Sequence, residues 1–383
     1  MITIRCSNFL HTFLAIIQTP FGRLLPCLGV LVPIFASSCT VEQFEQHVDK
    51  TPDIALDSVT VDVGGFSITE EERRQFADLI QLSESGRCLI SEVLHVVKFH
   101  GIDYASDITQ GRPVLEGLLD SDLGIRLFGS PPMRMTREGV QYSSPFESGP
   151  SEFHTDQVLA TFAQLEVVDS TSIRVGNRQV TVRDVVNEVV SRFYLRQKEI
   201  EWTAIAMAYY LDTPGPFKNH LGEEWCFDDL ARELIDRDFR LTSCGGVHRL
   251  EAIVAVERAG RRKKVLSEAM QASLSQFIST KARLACLRQK SDGTWPADWY
   301  KTASAAHDGF TVNSKTSDLL VTSHLTQWLF ELPDRFVETT QRDSAISLAL
   351  PWLRHRLLAV TPGEIRSQFC PLTHAAQSVL RGR

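Results

Sequence analysis

The chain lacks three things: a surplus of positive charge, an apolar run long enough to cross a membrane, and a dense set of cysteines. Its 40 Lys and Arg stand against 47 Asp and Glu, a formal net charge of -7 over 383 residues. Nucleic-acid surfaces need clustered cations to neutralise phosphates, so this balance argues against DNA or RNA as a partner. The short basic run Arg261-Arg262-Lys263-Lys264 reads as a solvated connection between helices. Residues 24–36 form a 13-residue apolar run, short of the ~20 residues a membrane-spanning helix requires. The eight cysteines fall at positions 6, 27, 39, 88, 226, 244, 286 and 370. Such wide spacing in a large chain is not a disulfide framework, although the five from Cys88 onward leave room for one bridge. The hydrophobic share of 43% and charged share of 23% are those of an ordinary globular protein.

The first 38 residues differ from the rest. Arg5 and Arg23 flank apolar stretches, and the run at 24–36 has the length of a signal-peptide core. It ends in Ala36-Ser37-Ser38-Cys39, which resembles a bacterial lipoprotein box. Two outcomes follow: lipidation of Cys39, which would give membrane association, or simple cleavage after the small residues. Both imply an exported chain, periplasmic or in the cell envelope. Residues 1–38 are therefore read as a signal segment and 39–66 as a tether with a leading strand at 59–63. Residues 67–383 form the folded domain.

In that domain helical periodicity runs almost unbroken. Apolar faces recur at 69–82 and 88–99, then at 113–128 and 152–165, and then at 181–196 and 199–211. They continue at 226–238 and 245–259, at 265–289 and 318–332, and at 344–358 and 371–380. Thr69 with Glu72, and Thr181 with Asp184, have the spacing of capping boxes. In each of the six pairs the first segment keeps a charged face, whereas the second is apolar on most of its circumference and so is expected inside. A polar residue opens each second segment, and the steps between His154, Glu201 and His248 are 47 and 47 residues, near the length of one helical hairpin. The expected fold is all-α, an (α/α)6 toroid of six helical hairpins with minor β-hairpin insertions, one of them near Arg174 to Thr181. Closure is preferred over an open solenoid because the last segment is still strongly apolar, with no capping repeat. The long connections 129–151 and 290–317 would then lie at one mouth as binding loops, beside the leading polar residues.

Five residues are the candidate acid–base set: His154, Glu201, His248, His324 and His374, which the hairpin repeat projects toward one cavity. Imidazole transfers protons near neutral pH, and an adjacent carboxylate orients it. Their structural role would be to satisfy helix amides in a polar core. Cys244 and His248, and likewise Cys370 and His374, are four apart and share a helical face. Together they could assemble a Cys2His2 zinc site; the alternative is that the two small thiols serve close packing alone. Trp295, Trp299, Tyr300, Asp292 and His307 sit on the 290–317 connection, where aromatics would stack on a sugar or cover an apolar ligand, or else anchor the loop. Trp202 and Trp328 would line the inner wall.

The string Gln289-Lys290-Ser291-Asp292-Gly293-Thr294-Trp295 resembles the QW motif of the terpenoid-cyclase and protein-prenyltransferase toroid superfamily. Residues 85 to the end also resemble uncharacterised bacterial envelope proteins of that type, through Cys244-Gly245-Gly246-Val247-His248, Ser323-His324-Leu325-Thr326-Gln327-Trp328 and Pro371-Leu372-Thr373-His374. The resemblance implies the toroid more than a reaction. The acid motif of the cyclases, Asp-x-Asp-Asp, has only Cys226-Phe227-Asp228-Asp229 as its nearest counterpart, on an outer helix, and the Asp-x-Cys of the prenyltransferases has none. Three functions are expected in turn: acid–base processing or binding of a cell-envelope glycan or polyuronate, handling of an isoprenoid, and non-catalytic ligand binding at the membrane.

Overall fold

The computed structural model describes residues 65–82, 87–143, 154–239, 242–301 and 314–382. They belong to one compact unit, Asp53–Arg383. The signal segment, Cys39, the strand expected at 59–63 and His307 lie outside the described residues. No helix among the described residues is long and apolar enough to cross a membrane.

The fold is mostly helical. In chain order the helices are α1 (Glu70–Leu79), α2 (Ile90–His100), α3 (Glu116–Leu119), α4 (Ser121–Phe128), α5 (Gln157–Gln164), α6 (Val182–Ser191) and α7 (Ile200–Tyr210). There follow α8 (Phe227–Asp236), α9 (Val247–Lys263), α10 (Glu268–Arg288), α11 (Ser314–Glu331), α12 (Thr339–Leu358), α13 (Pro362–Ser367) and α14 (Phe369–Arg381). Among the described residues three two-stranded antiparallel hairpins are inserted: β1 (Met133–Met135) with β2 (Val140–Tyr142), β3 (Ser172–Val175) with β4 (Arg178–Thr181), and β5 (Phe217–Lys218) with β6 (Glu224–Trp225). The β3–β4 hairpin is the one expected near Arg174.

Local chemistry sets the helix ends. Thr69 caps α1, its hydroxyl accepting the Glu72 amide at 3.1 Å while the Glu72 carboxylate accepts the Thr69 amide at 2.8 Å. Thr181 and Asp184 repeat the device on α6, with the Thr181 amide donating to the Asp184 carboxylate at 2.8 Å. A cap of this kind stabilises by about 0.5–2 kcal/mol. The single helix expected over 113–128 is two, because the Asp120 carboxylate takes the amides of Asp122 and Leu123 and restarts the chain as α4. The Cys226-Phe227-Asp228-Asp229 string is likewise a cap, with the Cys226 amide donating to Asp229 at 3.0 Å. The basic run ends α9, where cations face the negative pole of the helix.

Helices α2, α5, α7, α9, α11 and α14 contact one another in that order, and α14 in turn contacts α2. These are the second members of the six expected pairs. On α7 every residue from Ile200 to Ala208 is buried, which an apolar circumference requires. Helices α6, α8, α10 and α12 pack against α7, α9, α9 and α14 respectively, with one face turned outward.

The Gln289 to Trp295 string clamps this arrangement. Gln289 donates from Nε2 to the carbonyl oxygens of Gly293 and, across to α12, Ala345 at 3.0 and 2.8 Å. Trp295 is fully enclosed, its indole N–H donating to the Ala285 carbonyl at 2.7 Å and its amide to the Thr322 hydroxyl at 3.1 Å. Three helices, α10, α11 and α12, are thereby tied at one turn.

Candidate functional site

Five histidines come together inside the circuit of buried helices, one from each of α2, α9, α11 and α14 and one just ahead of α5. Ring centroids of neighbours lie 5.6 Å apart for His95 and His374, 3.8 Å for His324 and His374, 5.0 Å for His248 and His324, and 5.7 Å for His154 and His248. Relative exposures run from 0% for His324 to 8% for His95. The open mouth expected for these imidazoles is therefore not where they are; they are enclosed.

Each ring is anchored through the same nitrogen. His95 Nδ1 meets the Ser91 carbonyl oxygen at 2.6 Å, and His324 Nδ1 meets that of Leu320 at 2.7 Å. His154 Nδ1 meets Glu199 Oε1 at 2.6 Å, His248 Nδ1 meets Glu251 Oε2 at 3.1 Å, and His374 Nδ1 meets Gln327 Oε1. Gln327 donates its own amide to Glu331, which fixes its oxygen toward His374. A carbonyl oxygen can only accept, so these contacts assign the proton to Nδ1 and the lone pair to Nε2.

Two thiols meet the imidazoles. Donor atoms lie within 4.8 Å of one another in three sets: His154, Cys244 and His248; His95, Cys370 and His374; and Cys244, His324 and Cys370. Cys370 Sγ is 3.7 Å from His324 Nε2. A tetrahedral ion with ordinary Zn–S and Zn–N bonds would hold such a pair ~3.6 Å apart. These His/Cys groupings can bind a metal, but their partition differs from the expected Cys2His2 set. Cys244 and His248 group with His154, whereas Cys370 and His374 group with His95. All five cysteines of the described residues are free thiols.

The backbone aims these groups. Glu199 and Cys244 adopt φ of 53° and 51°, and Gly245 and Gly246 follow at 64° and 83°. Left-handed non-glycine residues cost of order 1–3 kcal/mol each and persist only where the surroundings enforce them. A Cβ on Gly246 would overlap the Phe239 ring, and the Trp299 indole N–H holds the Gly245 carbonyl at 2.9 Å. Trp299 thus pins the turn that presents Cys244.

Burial drives the His248 pKa down to about 4 and that of His374 well below the usual value. Burial acts to raise Glu251, but the charge and hydrogen bond of His248 outweigh it and bring the carboxyl down to about 2. Glu199 is likewise lowered, its burial outweighed by His154. The hydrogen bond between the thiols raises Cys244 well above the usual thiol value and depresses Cys370 well below it, so the pair holds its proton on Cys244. Burial thus favours the neutral, lone-pair form of His248 and His374, the form that metal ligation needs.

Several expectations are corrected by this geometry. Glu201 is buried in the field of Arg237 and Arg249, makes no hydrogen bond to a histidine among the described residues, and its Oε1 has no partner there. The carboxylates at the histidines are Glu199 and Glu251. Trp295 and Trp299 are not rim aromatics, being wholly buried with their indole N–H groups committed to the backbone. Tyr300 stacks on Phe239 at 5.3 Å, and Asp292 is exposed, accepting from the Thr294 amide and hydroxyl in a turn. Trp202 does join the cluster, stacked on His154 at 5.5 Å and tilted on His248 at 4.5 Å.

A cavity of about 120 Å³ lies toward the other ends of the same helices. Its walls are largely apolar, including Ile205, Ala208, Val254 and Trp328, with Arg258 and Arg262 at its rim. Glu251 is the residue common to cavity and cluster. Comparison with protein-family models, with curated proteins and with solved structures finds no match.

Proposed function

We propose that this chain is a metalloprotein, in which the six mutually contacting helices are the inner ring of an (α/α)6 toroid and a zinc-class ion is bound on its axis. The observation that carries the reading is the common anchoring of five imidazoles through Nδ1 to oxygen acceptors. Oxygens that accept from the far nitrogen orient ligand histidines and raise their basicity, and buried packing histidines have no need to share one polarity. A ring of lone pairs aimed at two thiols suits zinc, a borderline-soft ion. Bound there, the ion would supply Lewis acidity.

The work of the chain's own residues is to hold the ligand rings, exclude water and offer Glu251 as the acidic group facing the cavity. The largely apolar wall surface favours a small apolar-bodied ligand over a glycan, with Gln164, Tyr209, Glu251 and Glu331 the polar groups left to meet its head. That choice brings the chain nearer the isoprenoid-handling alternative than the polyuronate one. The features of residues 1–39 support placement outside the cytoplasm, anchored by Cys39 if it is lipidated.

The test is elemental analysis of the purified full chain before and after incubation with Zn2+, alongside His248→Ala and His324→Ala. Bound zinc in the parent and its reduction in both variants, with folding retained, is the expected result. A parent that takes up no metal, with variants that lose only thermal stability, would make the cluster a packing core.

A further inference from the structure

The donors are too numerous for one ion. Five imidazoles and two thiols make seven, whereas zinc in N/S sites takes four. They also divide in space. The set His154, Cys244 and His248 and the set His95, Cys370 and His374 share no residue, and each is compact within 4.8 Å. The third set, Cys244, His324 and Cys370, spans the gap between them at the same separation. The two halves have matching chemistry, two imidazoles and one thiol each, contributed by opposite arcs of the helix circuit: α5 and α9 on one side, α2 and α14 on the other.

We infer that the cluster is a binuclear centre, with one zinc-class ion on His154, His248 and Cys244, a second on His95, His374 and Cys370, and the two thiols with His324 lying between the ions. This rests on the metalloprotein reading above and goes beyond it in number and partition. Each triad leaves one position of a tetrahedral ion open, and the partner thiol or His324 is placed to fill it.

The test strips the full-length protein with a chelator, adds Zn2+ and counts bound ions per chain by mass spectrometry of the native protein. Two ions are expected. One ion would overturn the binuclear assignment while leaving the metalloprotein reading standing, and no ion would overturn both. Partition is read from two variants, His95→Gln with His374→Gln and His154→Gln with His248→Gln, each expected to bind one ion. Loss of both ions from either folded variant would mean a single shared site. Should a variant fail to fold, the count on the parent chain still decides.

Discussion

Glu251→Gln isolates one contribution to the proposed centre. Glu251 Oε2 lies 3.1 Å from His248 Nδ1, and the two side chains are 8% and 4% exposed, so neither is screened by water. Glutamine keeps the size and an acceptor oxygen, so the imidazole keeps its orientation and only the negative charge behind it goes. Changing the group that hydrogen-bonds a ligand imidazole from behind costs about 10–100-fold in metal affinity, or ~1.4–2.8 kcal/mol. Affinity would be measured by competition between the protein and a chromophoric chelator for Zn2+. A second readout is the rise in Tm on adding metal, which should shrink because stabilisation follows the logarithm of ligand concentration over Kd. Glu251→Ala, which removes the acceptor as well, should weaken binding further. If zinc binds both variants with parental affinity, Glu251 does not stand behind a ligand and the tautomer argument fails for His248.

Three further outcomes follow from groups outside the cluster. Burial raises the Glu201 pKa above its ordinary 4.5, so this group favours the fold below the unfolded value and loses that contribution as pH rises through the folded one. Glu201→Gln, always neutral, should match the parent near about pH 4 and have the higher Tm at about pH 8, and a constant difference across that range would count against the assignment. Burial works to raise Asp120, but the Arg174 hydrogen bond and the Leu123 and Asp122 amides outweigh it and hold the carboxyl below 3.8. Its stabilisation is therefore present above that value and lost as pH falls through the folded pKa. Because Arg174 is 41% exposed, Asp120→Asn should cost only about 1 kcal/mol at neutral pH, less in high salt, as read from urea midpoints; an equal cost at low pH would contradict the ion pair. Gly293 has φ of +87°, and a Cβ there would overlap the Leu348 carbonyl oxygen. Gly293→Ala should lose roughly 2 kcal/mol or more from the strained backbone and the displaced α12, and an unchanged urea midpoint would show that the turn relaxes.

The helices were legible because burial writes itself into periodicity. All six second segments, from 88–99 to 371–380, fall on helices, since a segment enclosed on several sides is apolar over most of its circumference. The Gln289 to Trp295 string was legible as a motif, yet its Trp295, with Trp299, also read as a rim aromatic. Sequence position puts both on a long connection, and only tertiary packing shows that the connection folds inward, with Trp299 reaching the Gly245 carbonyl. Glu201 and Glu199 show the limit more sharply. Both precede or open α7, and helical phase cannot choose between them when the preceding residue is left-handed. At φ of 53° Glu199 turns its carboxylate to His154, and nothing in residue type announces that conformation.

The pairing of donors was hidden for a related reason. Cys244 with His248 and Cys370 with His374 repeat the same spacing, which invites a site built from the two repeats alone. Spacing along a helix reports which residues share a face, not which neighbouring helix they meet. Neighbours in the circuit are α2 beside α14 and α5 toward α9 by way of α7, so each thiol finds the histidine four residues on and another from an element remote in sequence; Cys370 shares α14 with His374, whereas Cys244 sits in the turn ahead of α9 and shares no helical face with His248. His95, on α2, completes the set held by the last helix, α14. That contact joins α2 to α14, the first and last of these buried helices among the described residues, so the donor set around Cys370 depends on the α2–α14 contact. A centre assembled across the closing seam would stabilise that seam on binding metal, which ties the occupancy of the cluster to the integrity of the whole circuit.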